Sequence, residues 1–484
     1  MTLFYCTFIL ALLALFLRAW NLHRDPFHPW IYLIPQFIFL YGVMPLAVIA
    51  YNQERFLSYV GGSSALLEYQ LITSILTGGL LWGSALGARG VGGSRVLWRP
   101  LAIENAGQIR IMATGLGALA MAFWLYAIFN VGGFEAAYGR AYGGGWDDNG
   151  YVREIPAIGL VGTLIVFLLR VGKGVRPADW TLAVFCALPT LAQGILGARR
   201  GPTFMAVIVL LGGYFYFMRK RVSLAVAVPG GGLLGLLMLF LVLNRNEIYL
   251  GSEFSQSFQN PLEFFDQWDS NEYLIGSATV RYAQQYGGFY GARELTHILA
   301  RPVPHGIWPT KYEDMGAFFG AGVDLTLNNG VSPSALGYLV GWLPSVGSAV
   351  GFVGDLWLEY QYLAPVAAIL VGFAYGRLWR NASVNLYARL IYPILAALSI
   401  YLVMQDEDAW LFRALFFGGP TLILVYVINC GIRYLRPGVG APKSAKLNMG
   451  RDFNSRGISG PGRLGIPART SGRSGDERPS NWRQ

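Results

Sequence analysis

The chain alternates between long apolar runs and shorter polar segments. A helix rises about 1.5 Å per residue, so crossing a ~30 Å hydrocarbon core takes about 20 mostly apolar residues. Eleven runs have or approach that length, near residues 2–18, 30–51, 65–87, 109–131, 155–171, 180–197, 201–218, 223–243, 361–379, 386–404 and 411–431. The pattern predicts an all-α polytopic membrane protein with about 11 transmembrane helices, in a range of ten to twelve.

A further apolar stretch, 335–353, is rich in glycine and interrupted by Pro344. If it crossed the bilayer, Arg377 and Arg380 would fall on the outer side, against the tendency of basic residues to stay in the cytoplasm. We interpret the stretch as a re-entrant or surface-lying element, which is possible where protein covers the backbone. A twelve-span arrangement remains an alternative.

The basic residues of the short loops indicate how the chain is oriented. They are Arg89, Arg95, Arg99, Lys173, Arg176, Arg219, Lys220, Arg221, Arg377, Arg380 and Arg389. Placing these loops in the cytoplasm puts the N-terminus outside and the C-terminus inside. The predicted regions are a bundle of about eight spans at 1–243, a large extracytoplasmic loop at 244–360, about three spans at 361–431 and a basic tail at 437–484.

Composition agrees with this class of protein. Apolar residues make up 54% of the chain and charged residues 13%, whereas a soluble domain is about one quarter charged. The three cysteines all lie in apolar runs, which favours neither a disulfide framework nor a zinc site.

The tail accounts for most of the net charge of +10, since it holds nine Lys and Arg against three acids. Its Gly, Ser, Pro and Arg content predicts a disordered cytoplasmic segment held near anionic lipid headgroups. Without a folded reading element, a nucleic-acid partner is not expected.

Two arginines, Arg199 and Arg200, occupy a short hairpin between two spans on the predicted outer face. Guanidinium groups match phosphate oxygens, and the start of the following helix adds free N–H groups. The hairpin therefore predicts a phosphate or pyrophosphate site at the outer membrane surface. The alternative is a topological anchor whose side chains reach the interface.

The predicted outer loop holds a proline-rich stretch with cations and an aromatic ring, at Arg301, His305, Trp308 and Lys311. Prolines fix its backbone, aromatic faces suit sugar rings, and cations suit phosphate. Arg281, earlier in the loop, is a further candidate for binding. His305 is a candidate general base, because a histidine titrates near neutral pH; the alternative is a solvated loop histidine.

Two groups of carboxylates are candidates for chemistry. Asp355 and Glu359 are four residues apart, on one face of a helix at the outer end of a span, with Trp357 between them. They could deprotonate a hydroxyl, or simply anchor the helix end. The segment 406–408 contains Asp-x-Asp, a metal-holding pattern in some glycosyltransferases, but an acidic outer loop is the favoured interpretation. Arg413 follows as a candidate for contact with an anionic substrate.

No P-loop, Rossmann glycine pattern, His-Glu-x-x-His or nucleophile elbow is found. The order of the parts resembles the Wzy-like O-antigen and exopolysaccharide repeat-unit polymerases over roughly residues 110–430. The turn at 197–201 is similar to a Gly-x-Arg turn of that family, and 301–311 to its proline-rich loop. Ser332-Pro333 then leads to 354–359, which is similar to a Gly-Glu-x-Tyr-x-Asn motif of that family. This chain has Asp355 in place of the Glu, Trp357 in place of the Tyr and Glu359 in place of the Asn.

The resemblance implies a GT-C-like, metal-independent glycosyltransferase without a cofactor in the bacterial inner membrane. Its substrate would be an undecaprenyl-pyrophosphate-linked oligosaccharide, and its other partners membrane lipid and a chain-length regulator. Asp355, Glu359 and His305 would be catalytic, and the arginines, Lys311, Trp308 and Trp357 would bind pyrophosphate and sugar. An O-antigen ligase would use the same parts. A lipid or polysaccharide transporter without chemistry is the alternative from another class.

Overall fold

The computed structural model describes residues 2–59, 61–89, 106–139, 154–219, 222–244, 248–251, 271–303, 306–319, 323–325, 330–344 and 349–434. These ranges are almost wholly helical. Their one β feature is an isolated bridge between Val323 and Val331.

The described residues of the first half form eleven α-helices: α1 (Thr2–His23), α2 (Pro29–Ile38), α3 (Met44–Tyr59), α4 (Ser63–Ala88), α5 (Ala106–Asn130), α6 (Phe134–Tyr138), α7 (Gly159–Leu168), α8 (Pro177–Leu196), α9 (Arg200–Val207), α10 (Gly213–Met218) and α11 (Leu224–Leu243). The π-helical turns Phe39–Val43 and Ile208–Gly212 join α2 to α3 and α9 to α10. The 3₁₀ turn Ile155–Ile158 precedes α7.

The second half adds eight: α12 (Glu272–Tyr286), α13 (Ala292–Ala300), α14 (Lys311–Gly316), α15 (Pro333–Val340), α16 (Gly351–Tyr360), α17 (Ala364–Asn381), α18 (Leu386–Met404) and α19 (Glu407–Tyr434). A 3₁₀ turn, Gln361–Leu363, joins α16 to α17.

Several helices begin at residues that satisfy the free N–H groups of the first turn. The side chain of Asn271 accepts hydrogen bonds from Tyr273 and Leu274 at the start of α12. Asn385 does the same for Ala388 at the start of α18. These caps fix where α12 and α18 begin.

Ten helical segments of the described chain are long and apolar enough to cross a membrane: Thr2–His23, Pro29–Ala50, Ser63–Ala88, Ala106–Asn130, Pro177–Leu196, Arg200–Met218, Leu224–Leu241, Gly351–Asn381, Leu386–Met404 and Glu407–Val427. The prediction of an all-α, multi-pass membrane protein is confirmed.

The run expected as a span at 155–171 forms a shorter apolar helix, Ile155–Leu168. It packs between α5 and α8, and every residue of α7 is buried. Glu154, just before it, pairs with Arg413 of α19, whereas Arg170, just after it, pairs with Asp179 at the start of α8. The helix therefore runs through the interior of the bundle, where surrounding protein rather than lipid covers its backbone.

The most extensive helix packing joins α4 to α17. Gly83 and Gly87 of α4 face Gly372 and Gly376 of α17 so closely that a Cβ atom at any of the four would collide with the partner's backbone. Small residues spaced four apart let two membrane helices approach in this way. This glycine contact fixes α17 against the N-terminal half of the chain.

The segment predicted as an outer loop differs from the expectation in two places. The apolar stretch 335–353 is not one element, because α15 ends at Val340 and α16 begins at Gly351. Helix α12, inside the predicted loop, is almost wholly buried. The Tyr273 hydroxyl lies 2.7 Å from that of Tyr5 in α1 and donates to Gln70 in α4 at 3.1 Å. Part of 244–360 therefore belongs to the bundle.

Candidate functional site

The centre of the site is Arg293 of α13, whose side chain is fully buried between two carboxylates of α16. Its NH2 group lies 2.7 Å from Asp355 Oδ1, and its Nε lies 2.8 Å from Glu359 Oε2. Both carboxylates are also fully buried. The i, i+4 spacing on α16 places them on one helix face, as expected from the sequence, and Arg293 bridges them.

The remaining oxygens of these two carboxylates are occupied as well. Asp355 Oδ2 accepts a hydrogen bond from the backbone N–H of Glu407 at 2.6 Å, and Glu359 Oε1 accepts a long one from the N–H of Glu294 at 3.5 Å. Every oxygen of the two carboxylates therefore has a donor from the protein. Asp355 and Glu359 therefore tie α13, α16 and α19 together.

One turn further along α13, His297 lies between two acceptors. Its Nδ1 is 2.8 Å from Asp408 Oδ2, and its Nε2 is 3.1 Å from the carbonyl oxygen of Leu325. Each ring nitrogen of His297 therefore has an oxygen partner. Arg301 lies 3.7 Å from the same Asp408 oxygen and over the ring of Phe412 at 4.2 Å.

Six buried carboxylates meet around Arg293 and His297, and we call the group the acidic cluster: Glu294, Asp355, Glu359, Asp406, Glu407 and Asp408 with Arg293 and His297. Three of their oxygens, Glu294 Oε1, Glu407 Oε2 and Asp408 Oδ1, are buried without a hydrogen-bond partner in the described structure. Burying an unpaired carboxylate oxygen is costly. These three oxygens can therefore accept a proton, or a hydrogen bond from a donor group of a ligand.

Two members of the acidic cluster outside the membrane-spanning helices have strongly shifted pKa values. Burial, with repulsion from Glu359 and Asp355, raises the pKa of Glu294 to about 7 against the opposing effects of Tyr360 and Arg293. Burial, with repulsion from Asp355 and Asp408, raises the pKa of Asp406 to about 7. The cluster therefore exchanges protons near neutral pH.

Further arginines lie beside the cluster. Arg413, six residues into α19, pairs with Glu154 at 3.2 Å and lies 4.1 Å from the ring centroid of Tyr401. The Tyr401 hydroxyl lies against Gly201 at the start of α9, next to Arg200. The hairpin that carries Arg199 and Arg200 therefore lies close to the start of α19.

The hairpin arginines differ in their surroundings. Arg200 pairs with Glu272 at the start of α12. Arg199 is half-buried and has no carboxylate within ion-pair distance in the described residues. Its backbone caps the start of α9, where its carbonyl accepts from the Thr203 hydroxyl at 2.8 Å. Arg199 therefore keeps its guanidinium available for an anion.

Five of the residues selected from the sequence are thus brought together: Arg200, Arg301, Asp355, Glu359 and Arg413. Others lie elsewhere. Arg281 packs against Gly61 at the turn between α3 and α4. His305 lies outside the described residues.

The remaining candidates have local structural contacts. Lys311 is buried and donates to the carbonyl oxygens of Ala300 at 3.1 Å and Val303 at 2.6 Å. Burial and the nearby Arg301 lower its pKa. Trp308 donates to Asp314 at 2.6 Å. Trp357 is largely buried, and its ring meets that of Tyr362 at 5.5 Å.

The segment 406–408, interpreted from the sequence as an acidic outer loop, lies where α18 gives way to α19, and all three of its side chains are buried. The described residues contain no group of three His, Cys, Asp or Glu side chains placed to hold a metal ion. His297, which contacts Asp408, and Arg293, whose charge acts on all three acids, come from α13, more than 100 residues away in the chain.

Sequence reasoning therefore missed Arg293 and His297 as members of the site. The available signal was the helical spacing of 293, 294, 297 and 301, which puts four ionisable side chains on one side of a short helix. On a water-facing helix that side would point outwards, and the pattern alone gives no reason to turn it inwards.

No protein-family model, curated protein or solved structure matches this chain.

Proposed function

We propose that this protein is a membrane glycosyltransferase that joins oligosaccharide units carried on undecaprenyl pyrophosphate, and so polymerises a surface polysaccharide. The observation that carries the proposal is the acidic cluster: buried carboxylates with unpartnered oxygens, next to arginines, at the ends of membrane helices. Acid groups that accept a proton and cations that hold a leaving anion are the two requirements of glycosyl transfer from a pyrophosphate.

In the proposed reaction, a hydroxyl oxygen of the acceptor sugar attacks the anomeric carbon of the donor. The new glycosidic C–O bond forms as the bond from that carbon to the pyrophosphate oxygen breaks, and the electron pair leaves with undecaprenyl pyrophosphate. Arg199, Arg200, Arg301 and Arg413 stabilise the negative charge of the leaving group. Fixed cations in a poorly hydrated site act strongly on developing charge.

The hydroxyl proton needs an acceptor, and we assign it to Glu294 and Glu407. Each has a buried oxygen without a partner, whereas all the oxygens of Asp355 and Glu359 accept hydrogen bonds. Glu294 repels Glu407 more strongly than any other charged neighbour does. Glu294 and Glu407 therefore favour sharing one proton. The carboxylate that remains ionised can accept the proton of the acceptor hydroxyl.

The proposal is tested by the size ladder of polysaccharide in a host that lacks the gene, complemented with wild type or with Arg199→Ala/Arg200→Ala. The proposal predicts that the host without the gene displays single repeat units and no long chains. Wild type restores the long chains, and the double variant at normal membrane abundance does not. Arg281→Ala is the matched control, since Arg281 lies apart from the site, and it should restore them.

Two other outcomes identify the alternatives. Long chains that accumulate on undecaprenyl pyrophosphate without transfer would indicate a ligase, which uses the same donor and a different acceptor. An unchanged ladder would exclude both enzymes and favour a transporter. The proton-exchanging acids Glu294 and Asp406, with pKa values of about 7, are the feature that fits proton-coupled transport.

A further inference from the structure

Helix α13 has its polar and apolar sides reversed relative to a water-facing helix. Arg293, Glu294 and His297 are buried against the bundle. Leu295 and Leu299, one turn apart on the other side, are 56% and 62% exposed. An amphipathic helix in a soluble protein turns its apolar side inwards, so α13 is built for surroundings less polar than the interior it covers.

The exposed apolar surface extends beyond the start of α13. The backbone N–H of Phe289 donates to the Leu358 carbonyl at 3.1 Å, which places the start of α13 beside the end of α16. Tyr290 is exposed and donates to Gln361 at 2.7 Å. Tyr362 and Leu363, which follow Gln361, are also exposed.

This surface is continuous with one that faces lipid. Gln361–Leu363 connects α16 to α17 within the membrane-spanning segment Gly351–Asn381. Val366 and Leu370 of α17 expose their side chains one and two turns further along. A span must present such residues to acyl chains, so the apolar side of α13 extends the lipid-facing surface of this span.

We propose that the side of α13 carrying Leu295 and Leu299, with Tyr290, Tyr362 and Leu363, contacts the acyl chains of the bilayer. Helix α13 then covers the acidic cluster and separates its charged side chains from the lipid. The cluster lies at membrane depth, beneath a helix in the hydrocarbon boundary, and not in a water-facing loop. The exposed tyrosines fit the aromatic belt at the edge of a bilayer. This inference does not depend on the proposed reaction.

Site-directed spin labelling tests this contact in vesicles of phosphatidylcholine and phosphatidylglycerol. In a background of Cys6→Ala/Cys186→Ala/Cys430→Ala, the single variants Leu295→Cys and Leu299→Cys carry a nitroxide. Oxygen, which concentrates in acyl chains, and a water-soluble nickel chelate compete to relax the label. Leu370→Cys is the lipid reference, and Glu313→Cys, an exposed position on α14, is the water reference.

We expect both labels on α13 to show the high ratio of oxygen to nickel accessibility of Leu370→Cys, several-fold above that of Glu313→Cys. A ratio like that of Glu313→Cys would place α13 in water and overturn the proposal. Low accessibility to both reagents would also overturn it, since a protein partner or second copy would then cover the surface. The two positions are substituted separately and both are exposed, so the readout does not depend on one variant folding.

Discussion

Two buried polar clusters lie at opposite ends of α18, whose 19 residues give a length of about 28 Å. Near Leu386, the Asp25 cluster consists of Asp25, His28, Trp379 and Arg389, grouped around Tyr216 and Tyr392. Beyond Met404 is the acidic cluster. Both are shielded from solvent, but they differ in how completely their polar atoms are paired.

The two charged members of the Asp25 cluster, Asp25 and Arg389, both have hydrogen-bond partners. Asp25 accepts hydrogen bonds from the N–H of Phe27 at 2.9 Å and from Trp379 Nε1 at 3.0 Å. Arg389 donates to the carbonyl oxygens of Ala382 at 2.8 Å and Ser383 at 2.6 Å. Burial lowers the pKa of His28 to about 3, so its ring is neutral at physiological pH.

The acidic cluster holds six carboxylates with Arg293 and His297 and leaves three buried oxygens without partners in the described structure. A fully paired network stabilises one fold, whereas a partly paired one costs stability. The comparison teaches that burial alone does not identify a site. The three unpartnered carboxylate oxygens distinguish the acidic cluster, and we infer that the Asp25 cluster serves the fold and the acidic cluster serves the chemistry.

The largest effect is expected at Arg293. Arg293→Met leaves Asp355 and Glu359 buried without a cation, and removing one partner of a buried ion pair costs about 3–5 kcal/mol of unfolding free energy. Thermal unfolding of the detergent-solubilised protein measures the loss. Arg293→Met/Asp355→Asn/Glu359→Gln removes the whole charge set and should recover part of it. A single variant as stable as wild type would contradict the central role of Arg293.

At the other end of α18, Asp25→Ala removes the acceptor of two donors. Leaving buried donors unpaired costs about 1–3 kcal/mol, so a lower unfolding temperature is expected. Asp25→Asn keeps one acceptor oxygen and should lose less. Polysaccharide length per folded molecule should stay unchanged in both. Loss of long chains at wild-type stability would indicate that the Asp25 cluster takes part in the reaction. It would contradict the conclusion that this cluster serves only the fold.

Stability should fall as pH rises from about 5 to 7. The pKa values of Glu294 and Asp406 are about 7 in the folded protein, above the ordinary values of 4.5 and 3.8. In this window the folded state binds more protons than the unfolded state, so raising the pH disfavours folding, by at most about 1.4 kcal/mol per pH unit for each group.

Glu294→Gln/Asp406→Asn should reduce this pH dependence of the unfolding temperature. It should not abolish it, because burial also raises the pKa of Asp25. An unchanged slope in the double variant would show that neither acid retains its proton near neutral pH.

The smallest stability effect is expected at Arg200. Its ion pair with Glu272 is partly exposed on the arginine side and buried on the glutamate side, so its loss should cost more than the about 0–1 kcal/mol of a surface pair and less than that of a fully buried one. Arg200→Gln should therefore unfold within a few degrees of wild type, while its chain extension is reduced. Equal losses of stability and extension would instead indicate a structural anchor, the alternative interpretation of the hairpin.

The sequence predicts the spans well, because a long apolar run has few other ways to satisfy its backbone in lipid. It also predicts that Asp355 and Glu359 share a helix face, since that depends on local spacing alone. The buried position of α12 is harder to predict, because its polar residues are matched by Tyr5 and Gln70 from distant helices.

The site itself depends on tertiary contacts. Arg293 pairs with Asp355, 62 residues later in the chain, and His297 with Asp408, 111 residues later. No local sequence pattern predicts such a pairing. In our proposal, the rotation of α13 about its axis is set by lipid on its apolar side and by the buried carboxylates on its polar side. The apolar run that became α7 was identified as helical, but its burial within the bundle follows from the packing of α5 and α8.

The most direct test of the comparison measures Glu407→Gln and Asp25→Asn side by side, for unfolding temperature and for polysaccharide length per folded molecule. Glu407→Gln should lose long chains while its unfolding temperature stays equal or rises, because a neutral amide removes a buried negative charge. Asp25→Asn should keep long chains and unfold at a lower temperature. Long chains from Glu407→Gln at wild-type levels would contradict the assignment of chemistry to the acidic cluster.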